Sequence, residues 1–138
     1  MDASMLSYIL LSCALLSVHT QGCQVNEIIR NTRSLLNKTQ ESCPCRETAA
    51  SPCSCLPIPE PGHELACFVE GTEHMLQHNM TSNIKLWLLN QSFQIQRDRN
   101  LCASLTREKK CQYKTKGTVR TFLEKILTTY QEIRKSRA

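Results

Sequence analysis

After Cys23 the apolar and semi-apolar positions fall at Val25, Ile28, Ile29, Thr32, Leu35, Leu36 and Thr39. Steps of three and four draw one stripe down a helix, so a first helix is predicted over residues 24–40. Asn26, Glu27, Arg30, Arg33, Asn37 and Lys38 fall on its other sides. The period returns at Leu65, Phe68, Val69, Thr72, Met75, Leu76 and Met80, a second helix. Gly71 sits inside it at about 1 kcal/mol relative to alanine, which points to close packing against a neighbour or to a bend. Residues 79–83 read as a short turn with Ser82 as N-cap. A third helix then carries Ile84, Trp87, Leu88, Leu89, Phe93 and Ile95 to Arg99. Its apolar residues spread over more than one face, so it is expected to be the most buried of the helices. A fourth helix follows Thr118 as cap, with Val119, Phe122, Leu123, Ile126, Leu127, Tyr130 and Ile133 on one stripe. Arg120, Thr121, Glu124, Lys125, Thr128, Gln131, Glu132 and Arg134 lie opposite.

Cys43 to Gly71 holds Cys43, Cys45, Cys53, Cys55 and Cys67 and all five prolines of the chain. Regular structure is not expected to pass through it, and it reads as a stapled loop. Asn100 to Gly117 is polar and basic, holds Cys102 and Cys111, and keeps no period. The connections are thus long, short and long. Two long connections flanking a short one predict an all-α, up-up-down-down four-helix bundle.

Met5 to Val18 is an apolar run too short to cross a bilayer and reads as a secretory signal peptide over residues 1–20, cut between Thr20 and Gln21, with one domain over 21–138. A buried N-terminal helix is the alternative. Cys13 leaves with the leader, so the nine cysteines of the chain become eight: Cys23, Cys43, Cys45, Cys53, Cys55, Cys67, Cys102 and Cys111. In an oxidising compartment four disulfides are expected, with 105 possible pairings. The bundle topology excludes only pairing of Cys43 or Cys45 with Cys102, because those sulfurs would lie at opposite ends. Sequons at Asn37, Asn79 and Asn90 are candidate N-glycosylation sites.

Charge changes the picture at the C-terminal end. The chain has 17 Lys and Arg against 12 acids, and 12 of those bases lie from Arg97 onward, where there are four acids. A basic end of this kind attracts glycosaminoglycan, anionic lipid or acidic protein, or is simply a solvated face. Nucleic acid is disfavoured, because aromatics do not interleave the bases. The two C-x-C pairs invite a zinc reading, but thiolates in an exported chain oxidise, and zinc ligands are more often spaced by two to four residues. His74 and His78 form one i, i+4 pair without an HExxH motif, so a surface pair is the plainer reading. Nothing resembles a nucleophile with its base or a phosphate-cradling loop. Catalysis, metal and cofactor are therefore not expected, and binding by exposed helix faces is.

The pattern C-P-C-x7-C-S-C-L-P-I-P-x7-C-F-V-E-G from Cys43 to Gly71 resembles the interleukin-9 family. So do T-F-L-E-K-I-L-T-T-Y-Q from Thr121 to Gln131 and the Q-G-C at Gln21 to Cys23. The family pattern has two more cysteines, one expected between Pro59 and Cys67 and one near Cys111, so one family bridge is expected to be absent here. The resemblance implies a secreted short-chain helical cytokine, monomeric, that joins a specific alpha receptor to the common gamma chain and so triggers Janus kinase and STAT signalling. It places a gamma-chain-facing glutamine on the last helix, matched by Gln131 with Thr128 and Glu124 beside it. Glu27, Arg30 and Arg33 on the first helix and Lys85 on the third are the expected alpha-receptor residues. The competing class is a cationic, disulfide-rich helical protein that binds lipid or kills microbes. The C-x-C of chemokines is a third likeness, but there the motif precedes strands rather than following a helix.

Overall fold

The computed structural model describes residues 23–39, 45–46, 53–78, 84–102, 104–105 and 107–137. Within them lie four helices, α1 (Val25–Lys38), α2 (Glu64–Gln77), α3 (Ile84–Asp98) and α4 (Val119–Arg137). Two strands, β1 (Leu56–Pro59) and β2 (Tyr113–Gly117), lie in the long connections. The expected leader and its cleavage point, Cys43, Asn79 and Ser82 fall outside the described residues.

The helical stripes become the core. α1 buries Val25, Ile28, Ile29, Thr32 and Leu35, and α4 buries Val119, Phe122, Leu123, Ile126 and Tyr130. Phe68 of α2 stands at the centre, its ring centroid 5.4 Å from Phe93, 6.0 Å from Phe122 and 6.3 Å from Tyr130. Burying a side chain of this size contributes roughly 1.5–3 kcal/mol, and an aromatic pair adds about 0.5–1.5 kcal/mol. Gly71 makes the approach of α4 to α2 possible: a Cβ there would overlap the Phe122 ring. Close packing, not a bend, is thus why glycine stands inside a helix. At the start of α4, Thr118 caps as expected, its Oγ1 accepting the Thr121 backbone N–H at 3.1 Å.

Buried polar groups set the registers. Asn90 Nδ2 donates to Thr72 Oγ1 at 2.8 Å, joining α3 to α2. Tyr130 Oη donates to Gln96 Oε1 at 2.7 Å, and Gln96 Nε2 donates to the Cys23 carbonyl at 2.7 Å, so one glutamine ties α4, α3 and the entry to α1. Ser92 Oγ donates to Gln24 Oε1 at 2.9 Å, and Lys85 Nζ to Ser34 Oγ at 3.0 Å. Early α1 therefore lies beside late α3 and late α1 beside early α3, so these two helices are antiparallel.

The bridges follow the same geometry. Cys23 is bonded to Cys102, Cys45 to Cys55, and Cys67 to Cys111. Cys53 is disulfide-bonded as well. Cys102 is thus committed to Cys23 rather than to Cys43 or Cys45.

Two expectations need correcting. The long connections are not devoid of regular structure: β1 and β2 pair antiparallel, Leu56 with Gly117 and Ile58 with Thr115. Pro57 and Pro59 alternate, so both missing N–H groups fall on the same edge of β1, while Leu56 and Ile58 remain free to bond β2. The fold is consequently helical with one small ribbon. Nor is α3 the most buried helix. It buries Leu86, Leu89, Asn90, Phe93 and Gln96, but Ile84, Trp87, Leu88 and Ile95 are exposed, Ile84 at 68% and Trp87 at 50%. Apolar residues on two sides of a helix record one core face and one outer face here. Burial falls most heavily on α2, where Leu65 to Val69, Gly71, Thr72 and Met75 are all buried.

Candidate functional site

The outer surface of α4 begins with Glu124, Thr128 and Gln131, spaced by four and three on the side away from its buried stripe. Glu124 and Thr128 are exposed and Gln131 is half-buried. Glu124 Oε2 lies 3.5 Å from Arg120 Nε one turn earlier. An exposed pair of this kind contributes little to stability, about 0.3–0.5 kcal/mol, so both side chains can be re-used by a partner at small cost.

On α1, Glu27, Arg30 and Arg33 are exposed, and Arg30 is paired with Glu27. Glu27 stands seven residues before Ser34, on the same side of the helix, and Ser34 accepts Lys85 of α3. The structure therefore brings Glu27 and Lys85 to the α1–α3 side of the molecule, while Glu124, Thr128 and Gln131 form a separate stripe on α4. Lys85 is half-buried by its contact with α1 and presents less of itself than the α1 residues do.

The outer face of α3 is a surface that the sequence pattern did not single out. Ile84, Leu88 and Ile95 follow a spacing of four and seven, with Trp87 beside them, and they are four of the five large apolar side chains found exposed among the described residues. A tryptophan amid aliphatic residues on an open helix is a surface that favours a protein partner. The signal was present in the two-sided apolar pattern.

The sequons separate by geometry. Asn37 is exposed on α1, whereas Asn90 is only 2% exposed and donates to Thr72 and to the Val69 carbonyl. In this fold the Asn90 amide leaves no room for a glycan. The thiols of the two C-x-C motifs that suggested zinc are drawn into disulfides at Cys45, Cys53 and Cys55. Among the described residues no group of three or more His, Cys, Asp and Glu could hold a metal ion. His74 and His78 stack with centroids 4.3 Å apart, and burial, then His78 and Lys116, hold the His74 imidazole below its ordinary pKa.

Comparison with known proteins decides the family: the interleukin-9 family model matches residues 5–126. The chain belongs to the interleukin-9 family. No curated protein and no solved structure matches it. The family is one of secreted, non-enzymatic cytokines, and the four helices of this chain are consistent with a helical cytokine. None of the described helices is long and apolar enough to cross a membrane. The match covers the cysteine-rich crossover, α1 to α3 and the first turns of α4 as far as Ile126; Glu124 falls inside it, and Thr128 and Gln131 fall beyond it.

Proposed function

We propose that this interleukin-9-family chain is exported by a signal peptide over residues 1–20, folds over residues 21–138 as a monomer, and signals by joining an alpha receptor to the common gamma chain. Membership of the family carries the reading. The bundle it requires is up-up-down-down, and three observations support that topology: α1 is antiparallel to α3, the connection from α2 to α3 is short, and Tyr130 of α4 reaches Gln96 near the end of α3. The reading has four disulfides, the fourth of them formed by Cys53.

Gln131, with Thr128 and Glu124, forms the gamma-chain contact. Glu27, Arg30, Arg33 and Lys85 form the alpha-receptor contact, with Trp87 on the open face of α3 as its apolar anchor. Bringing the two receptors together activates the Janus kinases attached to them and, through these, STAT proteins. Surface plasmon resonance against each receptor, alongside STAT phosphorylation in responsive cells, tests the assignment. Gln131→Asp should keep fold and alpha-receptor affinity but abolish phosphorylation. Trp87→Ala should weaken alpha-receptor binding by tenfold or more, since an anchor residue is worth about 2 kcal/mol. Full signalling by Gln131→Asp would remove the α4 assignment, and unchanged alpha-receptor affinity in Trp87→Ala would remove that of α3.

A further inference from the structure

The connection between Cys102 and Cys111 is held far more firmly than a surface loop needs to be. Cys102 is bonded to Cys23 at the start of α1, and Cys111 to Cys67 in the first turn of α2. Between them Leu105 enters the core at 4% exposure, and the Lys110 carbonyl lies 2.8 Å from His63 Nδ1. Beyond Cys111, the Gln112 carbonyl accepts the Glu60 N–H at 3.0 Å and leads into the β1–β2 ribbon. The described residues of this connection and its exit are thus anchored at five points.

What it displays is positive charge. Residues 97–116 hold seven Lys and Arg and two acids, and Arg99, Arg107, Lys109, Lys110 and Lys114 are all exposed. Asp98 pairs with Arg97 at 3.2 Å, and Glu60 lies 3.6 Å from Lys114, while Glu108 is exposed among the bases. Cations on a fixed backbone lose little conformational freedom when they meet a polyanion.

We propose that this disulfide-pinned cationic end is a binding site for sulfated glycosaminoglycan. Like charges gathered on one rigid surface suit a long chain of regularly spaced anionic groups, which gains from releasing its condensed counterions. A lipid surface would call for apolar side chains beside the bases. Ile84, Trp87, Leu88 and Ile95 lie on α3, and among the described residues Tyr113 is the one exposed large apolar residue in the basic segment. The site is distinct from the helix faces assigned to the receptors and does not depend on that assignment.

The test uses the oxidised, secreted chain on a heparin-coated sensor at several salt concentrations. Arg107→Gln, Lys109→Gln and Lys110→Gln are combined and compared with an equal change of charge on α1, Arg30→Gln, Arg33→Gln and Lys38→Gln. All six side chains are exposed, and circular dichroism confirms that both variants fold. The loop variant should lose at least tenfold in affinity at physiological salt, and its slope of log Kd against log salt should fall by roughly two to three, close to one for each sulfate that no longer meets a cation. The α1 variant should lose less than threefold. Equal losses in both variants would overturn the site in favour of net charge alone. Equally tight, equally loop-dependent binding to phosphatidylserine vesicles would overturn it in favour of a membrane surface.

Discussion

Replacing Gly71 with alanine adds one methyl group at the point where α2 meets α4. Helix propensity alone would make the variant more stable by about 1 kcal/mol. The packing opposes this, because the new Cβ would overlap the tip of the Phe122 ring, and Phe122 is wholly buried and packed T-shaped with Phe68. A wholly buried ring cannot swing out into solvent, so overpacking should cost about 2–4 kcal/mol, at or above the upper part of the usual range. The net expectation is a loss of about 1–3 kcal/mol, or roughly 4–12 °C in Tm for a domain of this size. Urea unfolding followed by circular dichroism, with disulfides intact, measures it. Phe122→Leu should be costly alone, but Gly71→Ala with Phe122→Leu should cost less than the sum of the two single changes, by about 1 kcal/mol or more. A Gly71→Ala protein as stable as the parent, or single effects that add within about 0.4 kcal/mol, would refute the account of why glycine stands there.

Two further outcomes can be checked directly. Glycopeptide mapping of protein secreted from mammalian cells should find a glycan on Asn37 and none on Asn90; an occupied Asn90 in correctly folded protein would contradict its buried bonds to Thr72 and Val69. Tyr130 is fully buried, and desolvation raises its pKa far above the ordinary value of 10.0, with the Gln96 hydrogen bond partly opposing this. Its contribution is present below the unfolded pKa and falls as pH rises from there toward the folded value, at up to about 1.4 kcal/mol per pH unit. Unfolding free energies measured from about pH 9 to 11.5 should therefore decline less steeply in Tyr130→Phe, although that variant starts about 1 kcal/mol lower at neutral pH for the missing hydrogen bond. Equal slopes would show that Tyr130 ionises freely.

The helices were legible because each carries an apolar stripe of helical period, and Gly71 and Thr118 each announced a specific local need. The ribbon was not legible. Two prolines in Leu56–Pro59 argue against a strand unless its edge is known, and Tyr113–Gly117 has only Tyr113 as an apolar residue, so pairing is decided by the meeting of two segments far apart in sequence. The open face of α3 was hidden for a related reason: periodicity tells that Ile84, Trp87, Leu88 and Ile95 are apolar and on one side, but not which side meets the core. Of the candidate site, the outward position of Glu124, Thr128, Arg30 and Arg33 followed from the stripes. The burial of Asn90 did not, since a sequon on a helix gives no hint of which way its amide is bonded.

The placement of the bridges around the connection from Cys102 to Cys111 has a consequence for survival outside a cell. Arg107, Lys109 and Lys110 are exposed sites for proteases that cut after basic residues. A cut there divides the chain, but the C-terminal piece stays bonded to α2 through Cys67–Cys111, and the Cys23–Cys102 bridge keeps the other broken end beside α1. The nicked molecule would run as one species until reduced, with α4 still held on the bundle. An attack on this connection would leave the helix faces standing.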